Sequence, residues 1–284
     1  MKPRFSRKWA SVLSIVMIGA VLAGCGGKAV STSTATTTGV SPTGTALQGY
    51  VHPELLVETD WLSQHLNDTN IRIVDARKPG DYQGGHIQGS VNLNTMDSKG
   101  SMYDQTDPVQ WRVLSKAQAE DVFGNLGITD STIVVAVGDT NMLWAARLFW
   151  TLEYYGHGGG KSRVLNGGIT KWKAENKQLV SDVPSIKAAA FVATPQPNLI
   201  ATKQQVLEVV NGKATAFILA TIPLDEFNGG NKSSAARGGH IPGAQQLDWP
   251  QDLTGDPAVF KSAAELQKTF ASIGFTKDKN GIVY

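Results

Sequence analysis

Residues 126–150 read LGITDSTIVVAVGDTNMLWAARLFW, and this stretch decides the fold. Ile133, Val134, Val135, Ala136 and Val137 form an unbroken apolar run. A strand with one wet face alternates polar and apolar residues, so an unbroken run predicts a strand covered on both faces, as in a parallel sheet. Gly138 to Asn141 then make a polar bend, and Met142 to Tyr155 read as a strong helix. Open sheets of this kind bind ligands at the C-terminal ends of their strands, which makes the bend after Val137 the first place to look for a site.

Working outward, Leu55-Leu56-Val57 is a strand candidate, and Thr59 is placed to N-cap a helix through Leu66. Ile71 to Val74 is a β-branched strand that ends at Asp75. Ser115 to Leu126 reads as helix, Arg163-Val164-Leu165 as a last strand, and the region around Ile169 to Glu175 as a short helix. Strands alternating with helices predict an α/β fold, an open parallel sheet with helices on both faces. The second half then repeats the first. His86-Ile87-Gln88-Gly89-Ser90 returns as His240-Ile241-Pro242-Gly243-Ala244, and Leu126-Gly127-Ile128 returns as Ile273-Gly274-Phe275, followed by the strand Ile282-Val283-Tyr284. Residues 181–198 carry Pro184, Pro195 and Pro197 and read as a linker between a domain at 50–180 and a second at 199–284.

The chain has 284 residues, 41% of them hydrophobic and 18% charged, enough apolar content for two cores. Its formal charge is +2, and Lys2, Arg4, Arg7 and Lys8 all lie in the first eight residues. The remainder is balanced, which gives no reason to infer a nucleic-acid partner. Trp9 to Ala23 form an apolar run too short to span a bilayer comfortably, so residues 1–24 have the layout of a secretory signal. They end in Leu22-Ala23-Gly24-Cys25, which resembles the lipobox of bacterial lipoproteins. That resemblance implies a lipid on Cys25, a membrane as partner and an extracytoplasmic location at the cell surface or in the periplasm. Residues 25–49 are rich in Gly, Ser and Thr, as expected of a flexible tether. Cys25 is the single cysteine, so an intramolecular disulfide or thiolate metal cluster is excluded.

Several separated motifs in the first half resemble the rhodanese (thiosulfate sulfurtransferase) family in its tandem form. They are Val74-Asp75-Ala76-Arg77, Asp81-Tyr82, Gly85-His86-Ile87-Gln88-Gly89-Ser90, Ala145 to Trp150, Tyr155-Gly156-His157, Val164-Leu165-Asn166-Gly167-Gly168 and Trp172. The second half matches through Glu226-Phe227-Asn228-Gly229, Arg237 to Ala244 and Phe275 to Tyr284, roughly the first two-thirds of a domain. The resemblance implies a cysteine at the start of the loop after the central strand, nested among backbone amides that favour a thiolate and then a persulfide. Its substrates would be a small sulfur-containing anion such as thiosulfate and a thiol or cyanide acceptor, and it calls for no cofactor and no metal.

In the first unit this loop has no thiol, and Asp139 sits at or beside the nucleophile's place, where a carboxylate repels an anion. The unit is therefore expected to be non-catalytic. In the second, the family pattern places the cysteine directly after Tyr284. As given, the chain is expected to be inactive, and an incomplete second unit is expected to expose part of its core. Ala220-Thr221-Ile222 replaces the pattern Asp75-Ala76-Arg77, and an insertion runs from Gly230 to Ala236. The resemblance gives an arginine at the Ile222 position a role in thiosulfate binding, so its absence bears on donor choice. Asp75 and Arg77 read as a strand-end ion pair, with ligand contact the alternative. His86 and His240 read as turn ties beside Gly89 and Gly243, Arg237 as a solvated loop charge or an anion contact, and Trp144, Phe149 and Trp150 as packing. Two functions stand: a membrane-anchored sulfurtransferase, or a non-catalytic binding or scaffolding module. Arsenate reductase or phosphatase chemistry on this fold needs a longer cysteine loop ending in Arg.

Overall fold

The computed structural model describes residues 47–95, 101–108, 111–233 and 235–284; the leader, Cys25 and most of the tether lie outside them. Five parallel strands form the first sheet: β1 (Leu56–Val57), β2 (Ile71–Asp75), β3 (Val91–Asn92), β4 (Ile133–Val137) and β5 (Ser162–Leu165), in the order β1-β5-β4-β2-β3. The apolar run is the middle strand. It pairs with β2 over five residues, from Ile71 opposite Ile133 to Asp75 opposite Val137, and with β5 on its other edge. Alternate residues of β4 face opposite layers. Val134 and Ala136 pack with Ala119, Phe123, Leu148, Leu152 and Tyr155, whereas Val135 and Val137 pack with Leu62, Ile169 and Trp172. The first layer is α3 (Lys116–Asn125) and α4 (Leu143–Tyr154), the second is α1 (Thr59–Gln64) and α5 (Gly168–Ala174), with α2 (Pro79–Gln83) between β2 and β3.

Local chemistry sets the helix ends. Ser115 caps α3 in a reciprocal box with Gln118. Thr59 does not cap α1, contrary to expectation: Glu58 takes the N-cap position and the helix stops at Gln64. The Thr59 hydroxyl is buried and donates instead to the Glu175 carboxylate, so a tertiary partner displaces the local one. Residues 181–196 contain no helix or strand, as a linker should, yet they are not loose. Phe191 is 5% exposed and meets Phe123 edge-on at 5.1 Å. The Ala189, Thr194 and Gln196 amides donate to the carbonyls of Gly124, Tyr155 and Tyr154. The segment is a strap over α3 and the end of α4.

Beyond it come α6 (Lys203–Val210), β6 (Phe217–Ala220), α7 (Leu224–Phe227), β7 (Gln245–Gln246), the hairpin β8 (Leu253–Thr254) and β9 (Val259–Phe260), α8 (Ala263–Ser272) and β10 (Gly281–Val283). A second parallel sheet runs β10-β6-β7. The same neighbours occur as β4-β2-β3 in the first, and the strand-end hydrogen bonds recur. Ala76 N–H donates to Val137 O at 2.8 Å, and Thr221 N–H to Tyr284 O at 2.8 Å. Leu93 N–H donates to Asp75 O at 2.9 Å, and Leu247 N–H to Ala220 O at 3.0 Å. Asn92 Nδ2 reaches Arg77 O at 2.9 Å, and Gln246 Nε2 reaches Ile222 O at 2.8 Å. Tyr284 therefore stands where Val137 stands, and Ile222 where Arg77 stands. Ile218, Leu219, Ala220, Ala244 and Leu247 are buried around this sheet, but α6 and α8 bury no residue, and Val283 is 57% exposed.

His157, 1% exposed, shows how the first core handles a titratable group. Its Nδ1 lies 3.0 Å from Ser162 Oγ and its Nε2 3.3 Å from Thr129 O. Burial, aided by the nearby Lys161 charge, holds its pKa below the usual histidine value. The folded state therefore binds fewer protons than the unfolded chain. This stability is complete above the unfolded pKa near 6.5 and is lost as pH falls below it, with a slope of up to about 1.4 kcal/mol per pH unit. Thermal unfolding measured from pH 7.5 to 5 should show a falling melting temperature, and His157→Gln should flatten that part of the curve.

Candidate functional site

The bend after β4 is where the first sheet could hold an anion, and the amides of Asn141 and Leu143 there already have acceptors. The Asn141 N–H points at Asp139 Oδ1 at 3.4 Å, and the Leu143 N–H donates to Asn141 Oδ1 at 3.2 Å. Two donors at the start of α4 that would face an anion thus meet acceptors supplied by the loop itself. Met142 enters α4 in the left-handed region at φ 56°, and its side chain is 1% exposed. Its Sδ accepts the Gly167 N–H at 3.0 Å, so the thioether fills the space under the bend.

Gly138 follows the strand directly, making it, rather than Asp139, the counterpart of the residue after Tyr284. A Cβ at position 138 would lie 3.1 Å from Met142 Cα and 3.2 Å from Ala145 Cβ. Gly168, at φ 55°, closes the bend from the other side: a Cβ there would sit 2.6 Å from Gly138 O and 2.5 Å from Asp139 O. Only glycine fits both constraints. The Ile169 N–H donates to Gly138 O at 2.9 Å, and Thr140 Oγ1 meets Thr170 Oγ1 at 3.0 Å. The loop is a closed, self-capped turn.

Asp75 and Arg77 sit at the end of β2, facing inward. Arg77 Nη2 lies 2.7 Å from Asp75 Oδ2 and Nε 3.0 Å from Oδ1, a forked pair, while Nη2 also donates to Gly85 O at 2.9 Å. The side chains are 6% and 0% exposed, which leaves the guanidinium no free face for a ligand. In the second sheet Ala220 and Ile222 occupy these places, so the pair is absent there. Tyr82, beside the pair, donates its hydroxyl to Ser90 O at 2.6 Å; burial and then the Asp75 charge push its pKa up.

His86 stacks on Tyr82 with ring centroids 3.8 Å apart, and its ring nitrogens lie 2.9 Å from Tyr82 O and 3.2 Å from Asp182 O. His240 repeats the arrangement on Phe227, 3.6 Å between centroids, with Nδ1 2.7 Å from Phe227 O. The partners are four residues apart in the first case and thirteen in the second, and the Gly230–Ala236 insertion falls between them and supplies most of the difference. Both Gly89 and Gly243 take positive φ, 76° and 83°. Arg237, just after the insertion, is exposed and has no carboxylate partner among the described residues. The Ile241 N–H donates to Tyr284 Oη at 3.0 Å, which brings this turn to the end of β10. Trp144 and Phe149 are half-buried against the first core. Trp150 lies over Arg147, whose cation also faces Tyr103 at 5.1 Å. Among the described residues no group of three His, Cys, Asp or Glu is placed to hold a metal, and no helix is long and apolar enough to cross a membrane.

Sequence reasoning missed Met142 and Asn166 as site residues. Nothing in a Met-Leu-Trp helix start signals a left-handed cap, and Asn166 acts through a segment nearly a hundred residues later.

The rhodanese-like domain family matches residues 58–175, from the cap of α1 to the end of α5. The sulfur carrier protein TtuD of Thermus thermophilus is 35% identical over 249 residues, covering 83% of this chain and 84% of that protein. The chain belongs to the rhodanese-like family. The thiosulfate sulfurtransferase of Corynebacterium glutamicum is 30% identical over 243 residues, covering 82% of this chain and 78% of that one. Among solved structures, the 3-mercaptopyruvate sulfotransferase SseA from Escherichia coli superposes with a TM-score of 0.71 at 27% identity, over 81% of this chain and 87% of its own. EanB shares the fold at a TM-score of 0.70 and 20% identity. This rhodanese-like chain is thus a member of a sulfurtransferase family whose first loop is closed.

Two substitutions test the site's construction. Asp75→Ala strands the Arg77 guanidinium in the core and should cost about 3–5 kcal/mol in urea unfolding, since a buried charge left unpaired is strongly unfavourable. Gly138→Cys puts a thiol where the family's nucleophile belongs but against Met142 and Ala145. It should lower stability by about 1–3 kcal/mol, as overpacking does, and release no sulfite from thiosulfate.

Proposed function

We propose that this protein is a membrane-anchored, extracytoplasmic sulfurtransferase of two rhodanese-like units, 50–180 and 199 onward, joined by 181–198. In this reading the first unit is silent, and the second presents a cysteine directly after Tyr284. The observation that carries the proposal is the shared register: Thr221 N–H bonds Tyr284 O as Ala76 N–H bonds Val137 O. By that register the residue after Tyr284 takes the place of Gly138 at the start of the strand-to-helix bend. A thiol there would meet the backbone amides of a helix start, which favour a thiolate.

The chemistry follows from that placement. The thiolate attacks the outer sulfur of thiosulfate, the sulfur–sulfur bond breaks, and sulfite leaves with the electron pair. The enzyme holds a persulfide. An acceptor thiolate then attacks the outer sulfur and returns the cysteine thiolate. The names of the relatives, a sulfur carrier and a thiosulfate sulfurtransferase, support a sulfane-sulfur donor. The leader and Cys25 support a lipid tether that keeps the reaction outside the cytoplasm.

A second reading, a binding or scaffolding module without turnover, is favoured by one observation. Ala220 and Ile222 replace the buried Asp75–Arg77 pair, so the second sheet has no arginine at its strand end.

The test uses the polypeptide carried past Tyr284, incubated with thiosulfate. Sulfite release with a mass gain of one sulfur atom on the residue after Tyr284 supports the enzyme. A residue other than cysteine there, or a cysteine that never gains sulfur from any sulfane donor, leaves the binding module. The 284-residue chain itself should release no sulfite.

A further inference from the structure

Two side chains of the first half hold the backbone of the second at successive residues. Asn166, 1% exposed, lies just past β5, and its Oδ1 accepts the Phe260 N–H at 3.0 Å. Its Nδ2 donates to Glu58 Oε1 at 2.8 Å, and Glu58 is steadied by Lys171 Nζ at 3.3 Å from Oε2. Both ends of the amide are committed, which fixes its orientation. The Tyr50 hydroxyl donates to the Lys261 carbonyl. Around these bonds Leu253 and Phe260, the two paired residues of the β8–β9 hairpin, pack on the first core together with Tyr50. Leu47 is buried in that core, and Gly49 takes φ +89° where an added Cβ would lie 3.4 Å from Ala263 Cβ. Apolar packing resists separation without fixing an angle, whereas hydrogen bonds to consecutive backbone groups set direction.

We propose that Tyr50 and Asn166 form a clasp that fixes the β8–β9 hairpin, and with it the second sheet, on the C-terminal edge of the first. The Asn-Gly-Gly turn at 166–168 then has two jobs. Its glycines close the bend after β4, and its asparagine seats the other half of the molecule. The silent unit becomes a platform. Leu47, Gly49 and Tyr50, the start of the described chain, all lie at this seam. This inference goes beyond the sulfur chemistry and does not depend on it.

The test is amide hydrogen exchange on the 284-residue chain, comparing residues 259–261 with residues 134–136 of β4. Tyr50→Phe removes a single oxygen, and Asn166→Leu removes the acceptor. Each should speed exchange at 259–261 about fivefold or more, as loss of one net hydrogen bond implies, and leave β4 unchanged. The double variant should also raise the radius of gyration in solution scattering. Unchanged exchange at 259–261 in both single variants overturns the clasp. Equal acceleration in β4 overturns it too, since Asn166 would then be supporting only its own sheet. If Asn166→Leu does not fold, Tyr50→Phe alone carries the decision.

Discussion

Backbone donors at the end of a buried strand need acceptors, and the bend after β4 supplies them from within. In the first sheet Asp139 and Asn141 give oxygen to the amides at the start of α4, Met142 gives sulfur to Gly167, and Gly138 gives its carbonyl to Ile169. Each bond is modest; the Gly167 bond to Met142 Sδ is buried, where an unpaired amide would cost more than the bond returns, while those of Asn141 and Leu143 lie nearer the surface. In a bend arranged this way the Asn141 and Leu143 amides already have acceptors supplied by the loop. A Cβ at 138 would press on Met142 and Ala145 at 3.1–3.2 Å, and one at 168 would collide with the Gly138 and Asp139 carbonyls at 2.5–2.6 Å. The closed form of this bend is therefore set by the backbone as well as by its side chains.

The same sheet end organises what lies around it. The Asp75–Arg77 fork fills the space beside Val137 and ties β2 to the turn at Gly85. His86 and Val180 exchange backbone bonds, which anchors the point where the strap departs. The strap then covers Phe123, so a segment without helix or strand completes the apolar layer. In the second sheet the corresponding face of Phe270 and Phe275 lines an open apolar hollow with Gln267 and Ala271.

The architecture was legible because two periodicities were unambiguous. An unbroken apolar run marked a strand buried on both faces, and Met142 to Tyr155 marked a strong helix. The internal repeat was legible as motif, and the hydrogen bonds of Tyr284 and Ile222 give it a physical register. Asp75 and Arg77 were legible as a pair because charges two apart at a strand end share a side of the chain. Other features were hidden because their causes are tertiary. Thr59 was read as a cap from its neighbours, while its hydroxyl answers to Glu175, more than a hundred residues away. Phe191 lies in a proline-flanked stretch with no period, and only the hole beside Phe123 explains its burial. Asp139 was placed at or beside the nucleophile's position, and strand register puts it beside, with Gly138 directly after the strand.

The central claim is that the first bend does not take up a sulfur anion at the Asn141 and Leu143 amides, because the loop already supplies their acceptors. Titrating the isotope-labelled 284-residue chain with thiosulfate, and following the amide resonances of residues 138–143, tests this directly. The account predicts no saturable shift at Asn141 or Leu143 at millimolar anion. A saturable shift at those two amides, abolished when the anion is removed, would contradict it.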